Sequence, residues 1–219
     1  MKCCGYAAPC LFAAALLNSA GLAQQPLKQP TASSKSSTNA KVAPLDPGSI
    51  SGEAYRNNSL GFTYKILFGW VNRTKEMSQD PNTVSTDLKK SLLLAVFERP
   101  PEATGDSINS AVVIAAESAP SYPGLRSAEQ YFDPLTAVTK SKGLTVVNEP
   151  YEFRVGTAQL VRGDFSKPLG NLTMHQSTLV MMAKGYVVSF TFIGGSEDEV
   201  DNLLEGLNLG SKDAPTTRK

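Results

Sequence analysis

The sequence is poor in the side chains that most often carry catalysis or hold transition metals. Its 219 residues include three cysteines, Cys3, Cys4 and Cys10, and a single histidine, His175. Zinc and most transition-metal sites use several His or Cys ligands, so no such site is expected, although an all-oxygen Ca²⁺ site is left open. The chain also lacks a phosphate-binding loop and a dinucleotide-binding fingerprint. We therefore predict no catalytic residue, no cofactor and no metal ligand.

The chain has almost no excess of charge of either sign. It carries 21 Lys and Arg against 20 Asp and Glu, a formal net charge of +1. Basic patches attract nucleic acid and anionic membranes, and a chain this balanced gives no reason to expect either. Beyond the N-terminal residues, no hydrophobic run is long enough to span a bilayer as a helix. The partners we expect are an unidentified envelope protein or a small ligand.

Residues 1–23 have the three parts of a secretory signal peptide. Lys2 supplies the only charge, the apolar run from Pro9 to Leu17 is too short to cross a membrane, and Gly21-Leu22-Ala23 offers small residues to a signal peptidase. We predict cleavage after Ala23 and a periplasmic or secreted mature protein without cysteine. Because a lipoprotein cysteine follows the apolar run, and the cysteines here precede or begin it, no lipid anchor is expected.

The rest of the chain divides by composition into a linker, a domain and a tail. Residues 24–50 are rich in Ser, Thr, Pro and Lys and contain no aromatic residue, which predicts a disordered linker. Residues 51–210 are the size of one domain with a real hydrophobic core. Residues 211–219 are predicted to be a disordered tail.

A β-hairpin from Asn171 to Ile193 is predicted at the centre of one sheet. Lys184-Gly185 separates two runs of strand-forming residues, and Gly tolerates the positive φ of a tight turn. If Ala183 pairs with Tyr186, alternation along the strands places one set of side chains on a single face. That set, predicted to be core, is Leu179, Met181, Tyr186, Val188, Phe190 and Phe192. The opposite face is also too apolar for free exposure, so both faces should be covered by other layers.

Further strands and helices are predicted on both sides of the hairpin. Alternating aromatic residues and short apolar runs predict strands over 61–70, 91–98, 110–117, 144–148, 151–155 and 157–165. Capping-box patterns predict one helix from Ser127 to Gly143 and another that starts at Ser196.

The first predicted strand begins with Gly61-Phe62 and ends with Gly69-Trp70. With these motifs, the order of elements from about Tyr55 to Leu209 resembles the PsbP-like superfamily, which includes the photosystem II extrinsic protein P and DcrB-like periplasmic proteins. Leu67 departs from that pattern, because the family usually has Pro there. The resemblance implies an α+β fold, an α/β/α sandwich around a central, mainly antiparallel sheet. It also implies a bacterial-type secreted member with a non-catalytic accessory or binding role.

Four residues form a candidate surface for a ligand or partner. Trp70, Phe68 and Tyr55 would line an aromatic groove, with core packing under a helix as the alternative. His175 is a candidate general base or pH switch. The alternative for His175 is a histidine at a strand end, bonded to a neighbour or to water.

Two tripeptides also have functional interpretations. Arg162-Gly163-Asp164 has the sequence of a cell-adhesion motif, but it interrupts a predicted strand, where a bulge or turn also explains the Gly. Gly194-Gly195-Ser196 precedes a helix and is a candidate anion site. Three acids follow it, however, so we favour a strand-to-helix turn with an N-cap.

The function we favour is a secreted or periplasmic, non-enzymatic PsbP-like accessory or binding domain. One alternative is an envelope-associated hydrolase that uses carboxylates. Its candidate residues are Asp106, Glu117, Glu152 and Asp164, and their spacing along the sequence does not indicate that any two form a pair. Two carboxylates converging within about 10 Å in a pocket would support that alternative. The other alternative is a structural envelope protein tethered by its linker.

Overall fold

The computed structural model describes residues 44–79 and 90–210. The predicted signal peptide, residues 24–43 of the predicted linker and the predicted tail at 211–219 lie outside the described residues. Those three assignments stay predictions.

The described residues form eleven β-strands and three α-helices. The strands are β1 Ser49–Ser51, β2 Ala54–Asn57, β3 Phe62–Lys65, β4 Val71–Asn72, β5 Lys90–Phe97, β6 Ala111–Ser118, β7 Thr145–Val155, β8 Ala158–Leu169, β9 Leu172–Ala183, β10 Tyr186–Gly194 and β11 Leu207–Leu209. The helices are α1 Thr74–Gln79, α2 Phe132–Ser141 and α3 Glu197–Leu204. Among these residues there is no helix with the length and apolarity needed to cross a membrane.

Seven strands make a large sheet in the order β4-β5-β6-β10-β9-β8-β7, and the other four make a small sheet in the order β1-β2-β3-β11. The predicted hairpin at the centre of the large sheet is confirmed, because β9 pairs with β10 and Ala183 lies opposite Tyr186. Lys184 and Gly185 both have positive φ, 53° and 84°, as a two-residue type I′ hairpin turn requires. Neighbouring strands run antiparallel. The α+β class with a mainly antiparallel sheet is therefore confirmed.

One face of the large sheet packs against α3 and the small sheet to form the main core. Leu179, Val188, Phe190 and Phe192 are fully buried there, and Met181 and Tyr186 are partly buried against the same cluster. The Phe190 ring meets the ring of Phe62 from β3 edge-on, with centroids 5.0 Å apart. The predicted core face of the hairpin is thus confirmed.

The opposite face of the large sheet is covered by the segment that leads into α2. Tyr131 and Phe132 pack there against Val180 of β9 and Val187 of β10. Since α2 and α3 lie on opposite faces, the sheet is the middle layer of a sandwich, as predicted. The small sheet is an addition to that arrangement and shares the face of α3.

The first strand is shorter than predicted. β3 ends at Lys65, and the Trp70 amide donates to the Leu67 carbonyl oxygen at 3.2 Å across a turn. Gly69 has φ 80°, which suits the third position of a type II turn. The turn points Phe68 outward with 91 % of its surface exposed. The turn at Gly69 therefore keeps Phe68 out of the strand, although the alternation of aromatic residues along the segment predicted Phe68 within it.

Three further boundaries differ from the prediction. β7 is one strand where two were predicted, because shifts of register between Val146 and Tyr151 accommodate the irregular residues without ending its pairing with β8. β1 begins at Ser49, inside the predicted linker, because it pairs with β2. A 3₁₀ turn at Glu129–Tyr131 precedes α2, so the regular helix starts five residues after Ser127.

The start of α3 is as predicted. The Ser196 hydroxyl accepts a hydrogen bond from the Glu199 amide at 3.1 Å, and the Glu199 carboxylate accepts one from the Gly195 amide at 2.8 Å. These reciprocal bonds satisfy amides at the helix start in the manner of a capping box. Gly194-Gly195-Ser196 is therefore a strand-to-helix turn.

Candidate functional site

A pocket of about 230 Å³ opens between α3 and the strands β7, β8 and β9. Side chains from all four elements line it, including Tyr151, Arg162, Asp164, Ser177 and Asp201. A larger groove of about 700 Å³ runs past Met181 and Met182. We place the candidate site in the smaller pocket because buried charged groups lie at its floor.

The pocket lies on the inward face of the large sheet, where alternation would otherwise place core side chains. In the pairing of β8 with β9, Arg162 lies opposite Leu179 and Asp164 opposite Ser177, and partners in register share a face. Leu160 and Leu179 are buried in the main core, but the next inward positions along the two strands are Arg162, Asp164 and Ser177. The inward face thus changes from apolar to polar, and such departures from core patterning are expected at functional sites.

Asp164 is the centre of a hydrogen-bond network at the floor of the pocket. Its Oδ1 atom accepts from Arg162 Nε at 2.8 Å and from the Ser177 hydroxyl. Its Oδ2 atom accepts from Asn148 Nδ2 at 3.1 Å and from the Tyr151 hydroxyl at 3.2 Å. A charged side chain only 8 % exposed must be paired and hydrogen-bonded to offset its desolvation. These four donors meet that requirement.

Arg162 joins the floor of the pocket to α3. Its Nη2 atom donates to the Ser177 hydroxyl at 3.0 Å and contacts Asp201 Oδ1 at 2.8 Å. Its guanidinium carbon lies 5.2 Å from the centre of the Phe153 ring, within the range of a cation–π contact. Because the Asp201 side chain is 59 % exposed, the guanidinium connects a buried carboxylate with one at the pocket mouth.

The network determines the charge of its members at neutral pH. Burial raises the pKa of the Asp164 carboxyl, but hydrogen bonds from Ser177, Arg162 and Asn148 lower it by more, so the net pKa lies below its usual value. Burial raises the pKa of the Tyr151 phenol to about 12, and the charge of Asp164 adds to the rise. Asp164 is therefore ionised and Tyr151 neutral, and neither is tuned to exchange a proton near pH 7.

His175 lies at the rim of the same pocket, so the structure brings this predicted residue to the candidate site. Its Nδ1 atom is 3.8 Å from Glu197 Oε1, which is too far for a hydrogen bond. Ser177 lies two residues further along β9, but its hydroxyl donates to Asp164. A nucleophilic serine needs a base that accepts its proton. The Ser, His and Asp of this pocket are therefore not arranged as a catalytic triad.

Two carboxylates converge in the pocket. Asp164 and Asp201 each contact the Arg162 guanidinium at 2.8 Å, which places them within the range of about 10 Å that holds for glycosidase pairs. Such a pair needs one carboxyl with a raised pKa to act as the acid, whereas the net pKa of Asp164 is lowered. The geometry meets the distance condition for a hydrolase, and the lowered pKa of Asp164 makes it unsuited to the acid role.

The other predicted carboxylates lie elsewhere. Glu117 is buried on the opposite face of the sheet, where the hydroxyls of Tyr131, at 2.6 Å, and Tyr122 donate to it. Asp106 and Glu152 are exposed. Across residues 44–79 and 90–210, no group of three or more His, Cys, Asp and Glu side chains is placed to hold a metal ion.

The three predicted aromatic residues are not brought together at the pocket. Tyr55 is 2 % exposed and donates to the Pro47 carbonyl oxygen at 2.8 Å. Trp70 is partly buried against the main core. Phe68 projects from its turn into solvent. Tyr55 and Trp70 therefore pack in or against the main core, and Phe68 does not.

Arg162-Gly163-Asp164 is part of β8 and not of a loop. Arg162 and Asp164 point inward and are 9 % and 8 % exposed, so they are inaccessible to an adhesion receptor. Gly163 points to the other face, where a Cβ atom would lie 2.5 Å from Phe132 Cε1. The close approach of α2 therefore explains the glycine.

No protein-family model matches the sequence, and no curated protein matches it. The fold is similar to several solved structures. Cyanobacterial PsbP of Synechocystis sp. PCC 6803 is 14% identical, with a TM-score of 0.47 over 74% of this chain and 98% of that chain. LpqN of Mycobacterium tuberculosis, described as involved in cell envelope biogenesis, is 11% identical, with a TM-score of 0.39 over 76% of this chain and 87% of that chain.

A structure from Bacteroides thetaiotaomicron VPI-5482 is 8% identical, with a TM-score of 0.36 over 74% of this chain and 50% of that chain. These likenesses concern the fold alone and assign no role to any residue. Cyanobacterial PsbP, which belongs to the superfamily that the sequence resembles, is thus among the solved structures to which this fold is similar.

Proposed function

We propose that this chain is a non-enzymatic, extracytoplasmic accessory domain that binds a ligand or a partner's side chain in the pocket beside α3. The observation that carries the proposal is the buried network of Arg162, Asp164 and Ser177 at the pocket floor. A buried ion pair adds little stability compared with apolar packing of the same volume. A concave site with a few convergent polar groups is typical of ligand recognition, so the network is better explained by binding than by stability.

The contacts inside the pocket favour binding over turnover. Asp164 receives four hydrogen bonds and its pKa is lowered, so it is a poor general acid. The Ser177 hydroxyl donates to the carboxylate of Asp164, whose lowered pKa makes it a weak base. Groups held this rigidly present a fixed pattern of charge and hydrogen bonds to whatever enters, which is what specific binding needs.

The predicted signal peptide at 1–23 supports a location outside the cytoplasm. After cleavage, the predicted linker would be a flexible N-terminal lead to the domain. Both features agree with an accessory role in which the domain meets its partner in the periplasm or beyond the cell.

A matched pair of charge reversals tests the binding role. Glu197 lines the pocket and its side chain is 71 % exposed, whereas its neighbour Asp198 is exposed and lies outside the pocket lining. The wild-type protein and the variants Glu197→Lys and Asp198→Lys are immobilised and exposed to envelope extract of the native host. We expect the wild type and Asp198→Lys to retain the same partner or ligand and Glu197→Lys to lose it. Retention that is equal for all three proteins would contradict binding at this pocket.

A carboxylate hydrolase is the second candidate, because Asp164 and Asp201 converge on Arg162. The test is a screen of esterase, glycosidase and peptidase substrates with wild type, His175→Ala and Asp201→Asn. We expect no turnover by any of the three proteins. Turnover by the wild type that disappears in either variant would overturn the non-enzymatic assignment.

A further inference from the structure

We propose that Asn171, at the tip of the β8–β9 hairpin, is a site of N-linked glycosylation. The sequence contains three Asn-x-Ser/Thr sequons, Asn57-Asn58-Ser59, Asn72-Arg73-Thr74 and Asn171-Leu172-Thr173. A sequon receives a glycan in a protein that leaves the cytoplasm, at a position on the surface. The inference therefore shares the predicted export with the proposed function, but it does not depend on the pocket.

The fold excludes a glycan on Asn57. The glycan is joined to the side-chain amide nitrogen, and Asn57 Nδ2 donates to the Asp46 carbonyl oxygen at 2.8 Å. Asn57 Oδ1 accepts from the Leu60 amide at 2.9 Å, and the whole residue is 0 % exposed. A glycan here would break these buried hydrogen bonds and force the residue out of the core.

The sequon at Asn72 is accessible but held by its own hydrogen bonds. Asn72 Oδ1 accepts from the Thr74 amide at 2.9 Å and from the Thr74 hydroxyl at 2.7 Å. The same hydroxyl accepts from the Ala95 amide of β5 at 2.9 Å. A sequon is recognised through both its asparagine and its hydroxyl, and here both are already engaged with each other and with the sheet.

Neither constraint is present at Asn171. Asn171 and Thr173 are exposed, and within the part of the chain that the structure describes neither side chain makes a hydrogen bond. Leu169 pairs with Leu172, so Gly170 and Asn171 form a two-residue turn, with φ 64° at Gly170. A glycine at the first position is typical of a type II′ turn. The amide and the hydroxyl that a transferase needs are thus both accessible.

The hairpin also projects beyond its neighbours in the large sheet. The pairing of β9 with β10 begins at His175, and the pairing of β7 with β8 extends no further than Ser166. Residues 167–174 are therefore a two-stranded ribbon that pairs only with itself. Exposed loop tips are the segments that modifying enzymes reach most easily, so Asn171 can enter an active site while the sheet stays folded.

The reaction would join Asn171 Nδ2 to the anomeric carbon of an oligosaccharide. The donor class is an oligosaccharide bonded through that carbon to a lipid pyrophosphate. The C–N bond forms as the bond from the anomeric carbon to the pyrophosphate oxygen breaks. The lipid pyrophosphate leaves, and the amide nitrogen loses one proton to a base of the transferase. No oxidant or reductant is needed.

The test is mass spectrometry of the full chain made and processed by its native host. Intact masses, and fragment spectra of the peptide that contains Asn171, are recorded for wild type, Asn171→Gln, Thr173→Val and Thr173→Ser. Thr173→Ser keeps the sequon hydroxyl, and Thr173→Val removes it with little change of shape. Asn72→Gln is the matched control, because it removes an exposed asparagine from another sequon. All these positions are outside the core, so the unfolding midpoints should be close to that of the wild type.

We expect a glycan on Asn171 in the wild type, in Thr173→Ser and in Asn72→Gln, and none in Asn171→Gln or Thr173→Val. An unmodified Asn171 in the wild type would overturn the proposal, and so would a glycan that persists in Thr173→Val. The same spectra read the N-terminus, which shows whether an unmodified chain was exported.

Discussion

The ring of Phe132 at the start of α2 lies directly against Gly163 of β8. A Cβ atom at Gly163 would lie 2.5 Å from Phe132 Cε1 and 3.0 Å from Cδ1. Real Cβ atoms do not approach aromatic carbons this closely, so the helix can sit at its present distance from the sheet only above a glycine. The contact covers the outward face of the strand whose inward face holds Arg162 and Asp164.

Replacing this glycine should destabilise the fold. We expect Gly163→Ala to lower the free energy of unfolding by about 1–3 kcal/mol, because the methyl group forces Phe132 away from its buried site. Urea denaturation of the two proteins measures the difference. Phe132→Leu removes the edge of the ring that clashes, so the double variant should be less destabilised than the sum of the two single variants. Strict additivity would show that the contact does not limit the approach of α2.

Truncation at the centre of the hairpin should destabilise the fold more than the replacement of Gly163. We expect Phe190→Ala to cost about 3–5 kcal/mol, because it empties a fully buried position that meets Phe62 edge-on. Thr173→Ala, at an exposed position on the neighbouring strand β9, is the control and should change the unfolding midpoint little. A Phe190→Ala midpoint close to that of the control would mean that the two faces of the hairpin are exchanged.

The buried ion pair should behave as a unit. We expect Arg162→Met alone to cost about 3–5 kcal/mol, because it leaves the Asp164 carboxylate buried without its counter-charge. The double variant Arg162→Met/Asp164→Leu should recover most of that loss, since no unpaired charge stays buried. Thermal or urea unfolding of the three proteins gives the comparison. A double variant as unstable as Arg162→Met would contradict this account of the pair.

Acid should weaken the fold through Asp164. Because the pKa of Asp164 in the folded protein lies below its usual value, its contribution to stability is complete above the unfolded pKa of about 4. The contribution is lost as pH falls through the folded pKa. We expect the unfolding free energy of the wild type to fall more steeply below about pH 4 than that of Asp164→Asn. Parallel curves for the two proteins would show that Asp164 is not the carboxylate responsible.

The N-terminus of the protein made by its native host is a separate test. We expect it to be Gln24, because Gly21-Leu22-Ala23 provides the small residues that signal peptidase recognises. Mass spectrometry of the intact protein reads this directly. A chain that retains Met1, or that carries a lipid on cysteine, would rule out the predicted processing.

Local patterns in the sequence predict the scaffold well and the pocket poorly. The turn at Lys184-Gly185 fixes the register of β9 with β10 through neighbouring residues, and the N-cap of α3 depends only on residues 195–199. Asp164 depends instead on Asn148, Tyr151 and Ser177, which reach it across three strands. These polar residues are far apart in the sequence. They form one cluster only when the register of β7, β8 and β9 is known.

The misplacement of Phe68 has a different cause. Its alternation with Phe62 within one segment predicted a strand position, but the turn at Gly69 ends the strand before Phe68. The sequence does not identify Asp201 as a site residue, because it indicates α3 only through the capping pattern at Ser196 and the three acids that follow. Its polar side faces the pocket near the helix start, and a helix pattern does not show which neighbour its polar side meets.

The length of α3 has a consequence for how such a domain can change. The helix has 8 residues and spans about 12 Å, whereas β8 and β9, with 12 residues each, span about 40 Å. One wall of the pocket is therefore a helix end, while the floor is set by strand pairing. Changes at the exposed positions Glu197 and Asp201 would reshape the mouth of the cavity and leave the sheet register untouched. The buried positions Val200, Leu203 and Leu204 belong to the core, so one short helix divides its residues between the cavity and the stability of the fold.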